Sequence, residues 1–373
     1  MSKIDDLIKQ YCPNGVEYKE LGKIVNILDN QRRPVAREKR KKGNIPYYGA
    51  NGIQDWVEDY IFDGTFLLVG EDGSVINKDN TPILNWATGK IWVNNHAHIL
   101  SEKIEEANLR YVYFILSKTD VSSIIRGMPP KLNQLNLRGI KIPVPPLPVQ
   151  EEIVRILDVF SSLEAELEAE LEARKKQYEY YRNKLLTFDE NTTGGGIEWK
   201  MLSEVFNIQR GIRVTKNQLN DNGSYPVYQN SLTPLGFYTN ANCQADTTFL
   251  IAAGAAGEIG YSSVAFWAAD DCFYLMDSKD VNSRYIYHVL LNQQPYIKSR
   301  VRKASIPRLS RSSIEKIVIP IPPLEEQERI VAILDKFDSL VNDISEGLPA
   351  ELTARRQQYE YYRNKLLTFE EAA

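Results

Sequence analysis

Apolar residues recur every three or four positions through two long stretches of the chain. The first stretch, residues 149–188, contains neither Pro nor Gly, and helix-forming residues fill its other positions. This period predicts a helix with one apolar seam, and its length corresponds to a rod of about 58 Å. The second stretch, residues 325–369, repeats the pattern, but Pro349 predicts a break or kink just before it.

These stretches belong to an internal duplication. Residues 177–188 recur without change as residues 358–369, which lie 181 positions later. The Pro-rich segments that begin at Ile142 and Ile319 also match, whereas the regions between these anchors share little. Each half therefore combines a divergent region with a nearly identical one. This contrast predicts two different targets and one shared structural task.

The divergent regions, residues 16–142 and 197–319, mix strand-like runs with short amphipathic helical patterns. Strands are predicted at residues 65–69 and 248–251, and helices near residues 109–116 and 283–290. The predicted fold class is α+β: two small globules separated by two long antiparallel helices in a coiled coil, with pseudo-twofold duplication. The alternative is that each helix packs against its own globule. The segments are a first globule (1–142), a Pro-rich entry and helix (143–188), a flexible linker (189–196), a second globule (197–319) and a second entry and helix (320–373).

Composition is that of an ordinary globular protein, with 43% apolar and 25% charged residues. The apolar runs are too short for a membrane span, the N-terminus lacks a signal-peptide core, and the three cysteines fit a reduced cytoplasm. The net charge of −4 is unevenly distributed. Residues 16–142 carry 18 Lys/Arg and 15 Asp/Glu, and residues 197–319 carry 13 and 10, whereas the copied segments are acidic. Local potential decides nucleic-acid binding, so the divergent regions are the candidates.

Basic residues cluster at comparable places in both divergent regions, before a Tyr-containing strand and near the end of the globule. Loops rich in Arg and Lys suit phosphate positioning and base-edge contacts, although a solvated basic loop is the common alternative. The candidate DNA-binding residues in the first region are Arg32, Arg33, Arg37, Lys39, Arg40, Lys41, Lys42, Tyr48 and Lys131. Those in the second region are Arg210, Arg213, Lys216, Tyr228, Arg302, Lys303, Arg308 and Arg311.

Catalytic signatures are missing from the sequence. There is no GxxxxGK[ST] phosphate loop, no nucleophile elbow and no amino-methyltransferase tetrapeptide. His96 and His98 lack metal-ligand spacing, and the carboxylate pairs Glu71-Asp72 and Asp270-Asp271 are interpreted as turn residues. The sequence therefore predicts a binding protein with no catalytic residues and no metal.

The order of segments resembles the specificity subunit of type I restriction–modification systems. The resemblance rests on two globules that each end in Pro-[Lys/Arg]-Leu, a Pro-rich entry, an Ile-Leu-Asp-x-Phe-like helix start and the repeated end of the helix. It implies that each globule reads one half of a split, asymmetric double-stranded DNA site. It also implies that the helices set the gap and dock two methyltransferase subunits, with restriction/translocase subunits added. S-adenosylmethionine, ATP and Mg are expected in those partners and no cofactor in this chain.

The seam candidates, for packing between helices or against a partner, are Leu171, Tyr178, Tyr181, Leu185, Phe188, Leu352, Tyr359, Tyr362, Leu366 and Phe369. The second helical stretch is four residues longer than the first, which departs from symmetry. Two other hypotheses remain open on the residues alone. One is a coiled-coil scaffold that joins two protein-binding domains, and the other is a nuclease or methyltransferase in its own right.

Overall fold

The computed structural model describes residues 3–73, 75–188, 197–220, 222–276, 278–343 and 345–372. The chain divides into two units: unit 1 comprises Met1–Glu166 with Thr353–Ala373, and unit 2 comprises Leu167–Leu352. The linker predicted at residues 189–196 lies outside the described residues. The boundary between the units falls inside a helix and not at the end of the predicted first globule.

Unit 1 is built on a six-stranded sheet of order β2-β7-β5-β6-β3-β4, in which only the β3–β6 pair is parallel. A separate two-stranded ladder pairs β1 with β8. The strands are β1 (Tyr18–Glu20), β2 (Val25–Ile27), β3 (Lys42–Gly49), β4 (Gly52–Val57), β5 (Phe62–Gly70), β6 (Leu84–Val93), β7 (Ala97–Glu102) and β8 (Lys141–Pro143). The helices are α1 (Lys3–Tyr11), α2 (Leu21–Ile24), α3 (Leu109–Leu116), α4 (Gln134–Arg138) and the start of α5 (Leu147–Leu186).

Unit 2 contains a four-stranded sheet of order β10-β16-β13-β14, a three-stranded sheet of order β12-β11-β15 and the pair β9–β17. Its strands are β9 (Glu198–Met201), β10 (Ile208–Arg210), β11 (Tyr225–Tyr228), β12 (Gly236–Tyr238), β13 (Thr247–Ile251), β14 (Ile259–Ser262), β15 (Trp267–Ala268), β16 (Cys272–Leu275) and β17 (Val318–Ile321). Its helices are α6 (Leu202–Val205), α7 (Ser283–Asn292), α8 (Gln294–Ser299), α9 (Arg311–Glu315), α10 (Leu324–Asn342) and the end of α5; α11 (Leu348–Leu366) begins here and continues into unit 1.

The same set of hydrogen bonds, here called the joint, connects a short helix of the globule to the helix that follows the Pro-rich segment in both units. Asn108 caps α3 and Asn282 caps α7, and each side chain accepts hydrogen bonds from two backbone N–H groups of the first turn. A fully buried glutamine, Gln150 or Gln327, accepts from the backbone N–H of the capping residue and donates to a carbonyl of the Pro-rich segment. Buried amides need partners, so these residues fix how the helix leaves the globule. The α+β class and the duplicated plan are confirmed.

The first long helix forms without interruption, as α5 over Leu147–Leu186. The second stretch forms two helices, because α10 ends at Asn342 and α11 begins at Leu348. At the break, the Asp343 carboxylate accepts from the Ser345 and Glu346 backbone N–H groups. A Cβ atom on Gly347 would lie 2.5 Å from the Ser339 carbonyl oxygen, so only glycine fits there. The break predicted before Pro349 is confirmed.

The seam residues are divided between the two cores. In unit 1, Phe160 of α5 stacks on Tyr362 of α11 at 5.4 Å and contacts Tyr359, and Glu164 pairs with Arg356. Along these contacts the residue numbers rise in α5 and fall in α11, so the two helices are antiparallel within unit 1. In unit 2, Phe337 stacks on Tyr178 and Tyr181, and Leu171, Leu185 and Phe188 line the same core.

The C-terminus completes unit 1. Leu366, Leu367 and Phe369 contribute to its core, and the Tyr18 hydroxyl donates to the Phe369 carbonyl. Val16 exchanges backbone hydrogen bonds with this segment, accepting from Ala372 and donating to Glu370.

Leu352, the remaining seam candidate, is buried in unit 2. Among the described helices, none has the length and apolar content needed to span a lipid bilayer.

Candidate nucleic-acid interface

The first basic loop, residues 31–42, leads into β3 and is tied to the sheet by aromatic residues. The indole Nε1 of Trp92 donates to the Arg33 carbonyl at 2.6 Å. The Arg40 guanidinium lies 4.1 Å from the centre of the Tyr47 ring and also donates to the Val35 carbonyl and to Asp55. These contacts fix the backbone of the loop while other side chains of the loop face solvent. The exposed basic residues are Arg33, Arg37, Lys39, Lys41 and Lys42.

Arg32 lies on the inner side of this loop, in a buried ion-pair cluster. Its guanidinium contacts Glu71 and donates to the Ala97 carbonyl at 2.9 Å, and only 14% of its side chain is exposed. Lys131 binds the other Glu71 oxygen at 3.0 Å. The prediction of Arg32 as a DNA-contacting residue therefore does not match its position, because the charge is committed to Glu71. Glu71, interpreted from the sequence as a turn residue, is the buried centre of this cluster.

His98 joins the cluster to the sheet. Its Nδ1 lies 2.6 Å from an Asp29 carboxylate oxygen, and its Nε2 lies 2.7 Å from the Leu132 carbonyl oxygen. Burial acts to raise the pKa of Asp29, but the hydrogen bond and charge of His98, with the Gln134 amide, hold that pKa below its usual value. Burial also acts to raise the pKa of Glu71, but the hydrogen bonds from Arg32 and Lys131 hold that pKa below its usual value.

The donor atoms of Asp29, Glu71 and His98 lie within 4.8 Å of one another, which is the spacing of a metal site. However, both oxygens of Glu71 are occupied by cationic side chains, and both nitrogens of His98 face oxygen acceptors. A metal ion needs free lone pairs on its ligands. The cluster is therefore better described as an ion-pair network than as a metal centre.

The second basic loop, residues 210–218, follows β10 and is held in the same way. The indole Nε1 of Trp267 donates to the Ile212 carbonyl at 2.8 Å, as Trp92 does to Arg33. Arg210, Arg213 and Lys216 are all exposed. The guanidinium of Arg210 also donates to the Asp270 carbonyl at 2.8 Å. The pairing of these tryptophans is not evident from the sequence, because the segments around them no longer align. The matching parallel pairs, β3–β6 and β11–β15, reveal the correspondence.

Tyr48 and Tyr228 occupy equivalent strands, and both rings lie in apolar cores. Tyr48 is 9% exposed and packs in the cluster that contains Phe62 and Phe66. The ring of Tyr228 lies 4.7 Å from that of Phe249. Burial raises the pKa of both hydroxyls. Packing in the core explains an aromatic residue at both positions, and a contact of these two tyrosines with DNA stays a prediction.

The remaining candidate residues lie at the far end of each globule, in a turn before a short helix. Two hairpins form there: the first hairpin is residues 126–131 and the second hairpin is residues 302–308. The first contains Lys131, which is exposed even though it pairs with Glu71, and the second contains Arg302, Lys303 and Arg308, all exposed. Arg311 follows in α9, where it pairs with Glu315. Each unit thus presents an anchored basic loop and a basic hairpin.

The identical helix ends also present an identical surface, the repeated face. It consists of exposed residues that the packing of each unit does not require: Glu179, Tyr180, Asn183, Lys184 and Thr187 in α5 and the segment after it, and Glu360, Tyr361, Asn364, Lys365 and Thr368 in the copy. Tyr180 and Tyr361 are 59% and 63% exposed. Folding explains identity at buried positions but not at exposed ones. A repeated exposed face is what one kind of partner, bound twice, would need.

Comparison with known proteins gives a consistent result. Residues 13–173 and 196–354 match the model of the type I restriction modification DNA specificity domain. A putative type I restriction enzyme specificity subunit of Haemophilus influenzae is 39% identical over 95% of this chain and 96% of its own length. A type I restriction enzyme specificity subunit of Escherichia coli is 36% identical over 82% of this chain and 85% of its own length.

The fold itself recurs in a solved structure. The S subunit of a type I restriction-modification system from M. genitalium superimposes with a TM-score of 0.72 over 95% of this chain and 96% of that chain, at 18% identity. The resemblance inferred from the repeated helix ends is confirmed, and the role of such subunits is specificity and not catalysis. The chain belongs to the family of type I restriction-modification specificity subunits.

Proposed function

We propose that the chain reads a split, asymmetric DNA site as the recognition subunit of a type I restriction-modification complex, with one half-site for each unit. The observation that carries this proposal is the contrast within the duplication. The basic loops and hairpins differ in sequence between the units, while the joints that hold them and the helix ends that follow are alike. Basic loops and hairpins that differ in sequence but are held by the same contacts are suited to binding two different base sequences.

The helices serve in this proposal as a spacer and as the docking surface for two methyltransferase subunits. The continuous α5 has one half in each unit, and the antiparallel contacts of α5 with α11 in unit 1 support a coiled-coil spacer. The repeated face offers the same residues twice, which suits two copies of one partner. Restriction/translocase subunits would join this assembly, which would act on DNA in the cytoplasm. S-adenosylmethionine, ATP and Mg would be held by the partners, and this chain would need no cofactor.

The test is DNA binding by the chain assembled with its methyltransferase subunits, measured by anisotropy over a range of salt concentrations. Replacing Arg33 and Lys39 with Gln removes two exposed charges of the first basic loop without touching the Arg32 cluster. Each lost phosphate contact should lower the slope of log K against log salt by about 0.9 and weaken binding in 0.1 M salt.

The matched control replaces Lys78 and Lys141 with Gln, since both are exposed lysines outside the basic loops and hairpins. This variant has the same net charge as the first, and its salt slope should equal that of the wild type. Equal slopes for all three proteins would refute a phosphate-contacting role for the first basic loop.

A further inference from the structure

The two hairpins are equivalent structures with different sequences. In the first, Arg126 and Lys131 exchange both backbone hydrogen bonds, at 3.0 and 2.8 Å; in the second, Arg302 and Arg308 do the same, at 2.8 and 3.2 Å. The residue after each hairpin is a buried leucine. The N–H of Leu132 donates to the carbonyl of Glu71, which follows β5, and the N–H of Leu309 donates to the carbonyl of Ala252, which follows β13. The hairpins therefore lie at the same place in the two units although their turns differ in length.

Each hairpin places two cations directly opposite each other. Side chains of a directly opposed antiparallel pair lie on the same face, where like charges are destabilising. Lys131 is partly compensated by Glu71, but no ion pair to Arg126, Arg302 or Arg308 is found among the residues that the structure describes. Each hairpin therefore keeps at least one arginine whose charge is not balanced by an ion pair among the described residues, and such an arginine is suited to bind an anion.

The turn of each hairpin carries an exposed apolar residue. Met128 is completely exposed at 100%, and Ile306 is 54% exposed. A single apolar residue on a surface is unremarkable in itself. Here, however, each lies between two opposed cations, in a turn with proline beside it, in both copies of a duplicated domain. An apolar tip flanked by cations matches the side chains that proteins insert between DNA base steps.

We propose that Met128 and Ile306 are wedge residues, which enter the DNA and partly unstack one base step in each half-site while Arg126, Arg302 and Arg308 hold the flanking phosphates. This inference rests on the proposed function and adds specificity-determining residues to it. A step that unstacks easily costs less to open, so the wedge would favour flexible pyrimidine–purine steps that no side chain reads directly. The ligand is duplex DNA, because its row of phosphates offers an anion to each of these three arginines.

The experiment uses the chain assembled with its methyltransferase subunits and a duplex of about 30 base pairs that carries the site defined by the adenine methylation of the source genome. 2-Aminopurine replaces one base at a time, outside the methylated adenines, and brightens where a step unstacks. Met128→Ala should abolish the brightening in one half-site and weaken specific binding about tenfold. Ile306→Ala should do the same in the other half-site. Met128→Leu should restore both signals, because Leu is also a wedge residue.

Matched controls are Ile104→Ala for unit 1 and Val264→Ala for unit 2, since these apolar residues are 79% and 55% exposed and lie outside the hairpins. Both should behave as wild type. If Met128→Ala and Ile306→Ala keep full brightening and affinity while Arg126→Gln lowers the salt slope, the wedge is refuted and the proposed function stands. If the assembled wild-type complex shows no preference for this duplex over a scrambled one, the proposed function itself fails.

Discussion

Two adjacent arginines show how differently neighbouring residues of one basic run are used. Arg32 is turned inward, where Glu71 and the Ala97 carbonyl bind its guanidinium. Arg33 is exposed, and its backbone carbonyl accepts a hydrogen bond from Trp92. A substitution of both residues together would therefore mix loss of folding with loss of binding. The two must be separated before either is assigned to DNA.

We predict that Arg32→Ala lowers the free energy of unfolding by about 3 kcal/mol, because it leaves the Glu71 charge buried with only Lys131 as partner. Chemical denaturation at pH 7 measures this loss. The lowered pKa of Glu71 means that the cluster stabilises the fold above about pH 4.5 and that this contribution fades as pH falls. The difference from wild type should therefore shrink towards pH 3.

Arg33→Ala is the matched control, and it should change stability by less than about 0.5 kcal/mol. Two variants of equal stability at pH 7 would contradict the structural role of Arg32.

At the scale of elements, the helices are where sequence and structure agree best. The apolar seam and the proline at position 349 were sufficient to predict α5, α10, α11 and the break, because helix periodicity is local. The basic runs do form loops, but the sequence could not separate Arg32 from Arg33 or recognise Tyr48 as core. Those distinctions depend on contacts with Glu71, Trp92 and Phe66, which lie in or directly after strands far away in the chain.

The repeated face leads to a prediction about these helices. Tyr180→Ala and Tyr361→Ala should each remove one of two methyltransferase subunits from the assembled complex, and the double variant should remove both, because exposed aromatic residues dominate interface energies. Native mass spectrometry of the reconstituted complex counts the subunits. Val159→Ala is the control, since Val159 is 57% exposed on the same helix but is not repeated. Two bound subunits on the double variant would exclude the repeated face as the docking site.

At the scale of the whole molecule, one unit is assembled from two distant segments of the chain and the other from a single segment. Unit 1 consists of the first 166 residues and the last 21, and its core includes Leu366 and Leu367. Unit 2 is continuous, with the second half of α5 packed in its core. The duplication in sequence therefore does not correspond to two independent folding units, since the helix of the second copy completes the first.

Removal of residues 366–373 should destabilise unit 1 and leave unit 2 intact. It deletes Leu366 and Leu367 from the core and the backbone hydrogen bonds to Val16. Hydrogen exchange of the full-length and shortened chains separates the two effects. Faster exchange is expected in β5 and β7, with no change in β13 and β16. Equal acceleration in both sheets would show that the units do not behave as described.

The closing of unit 1 by its final helix has a consequence for how the protein is made. On the ribosome, residues 1–166 emerge before unit 2, but one side of their core stays uncovered until residues 353–373 have been synthesised. Unit 2, whose residues are consecutive, can reach its native state earlier. Unit 1 thus begins to be translated before unit 2 but matures after it, and loss of residues 353–373 would damage unit 1 while sparing unit 2.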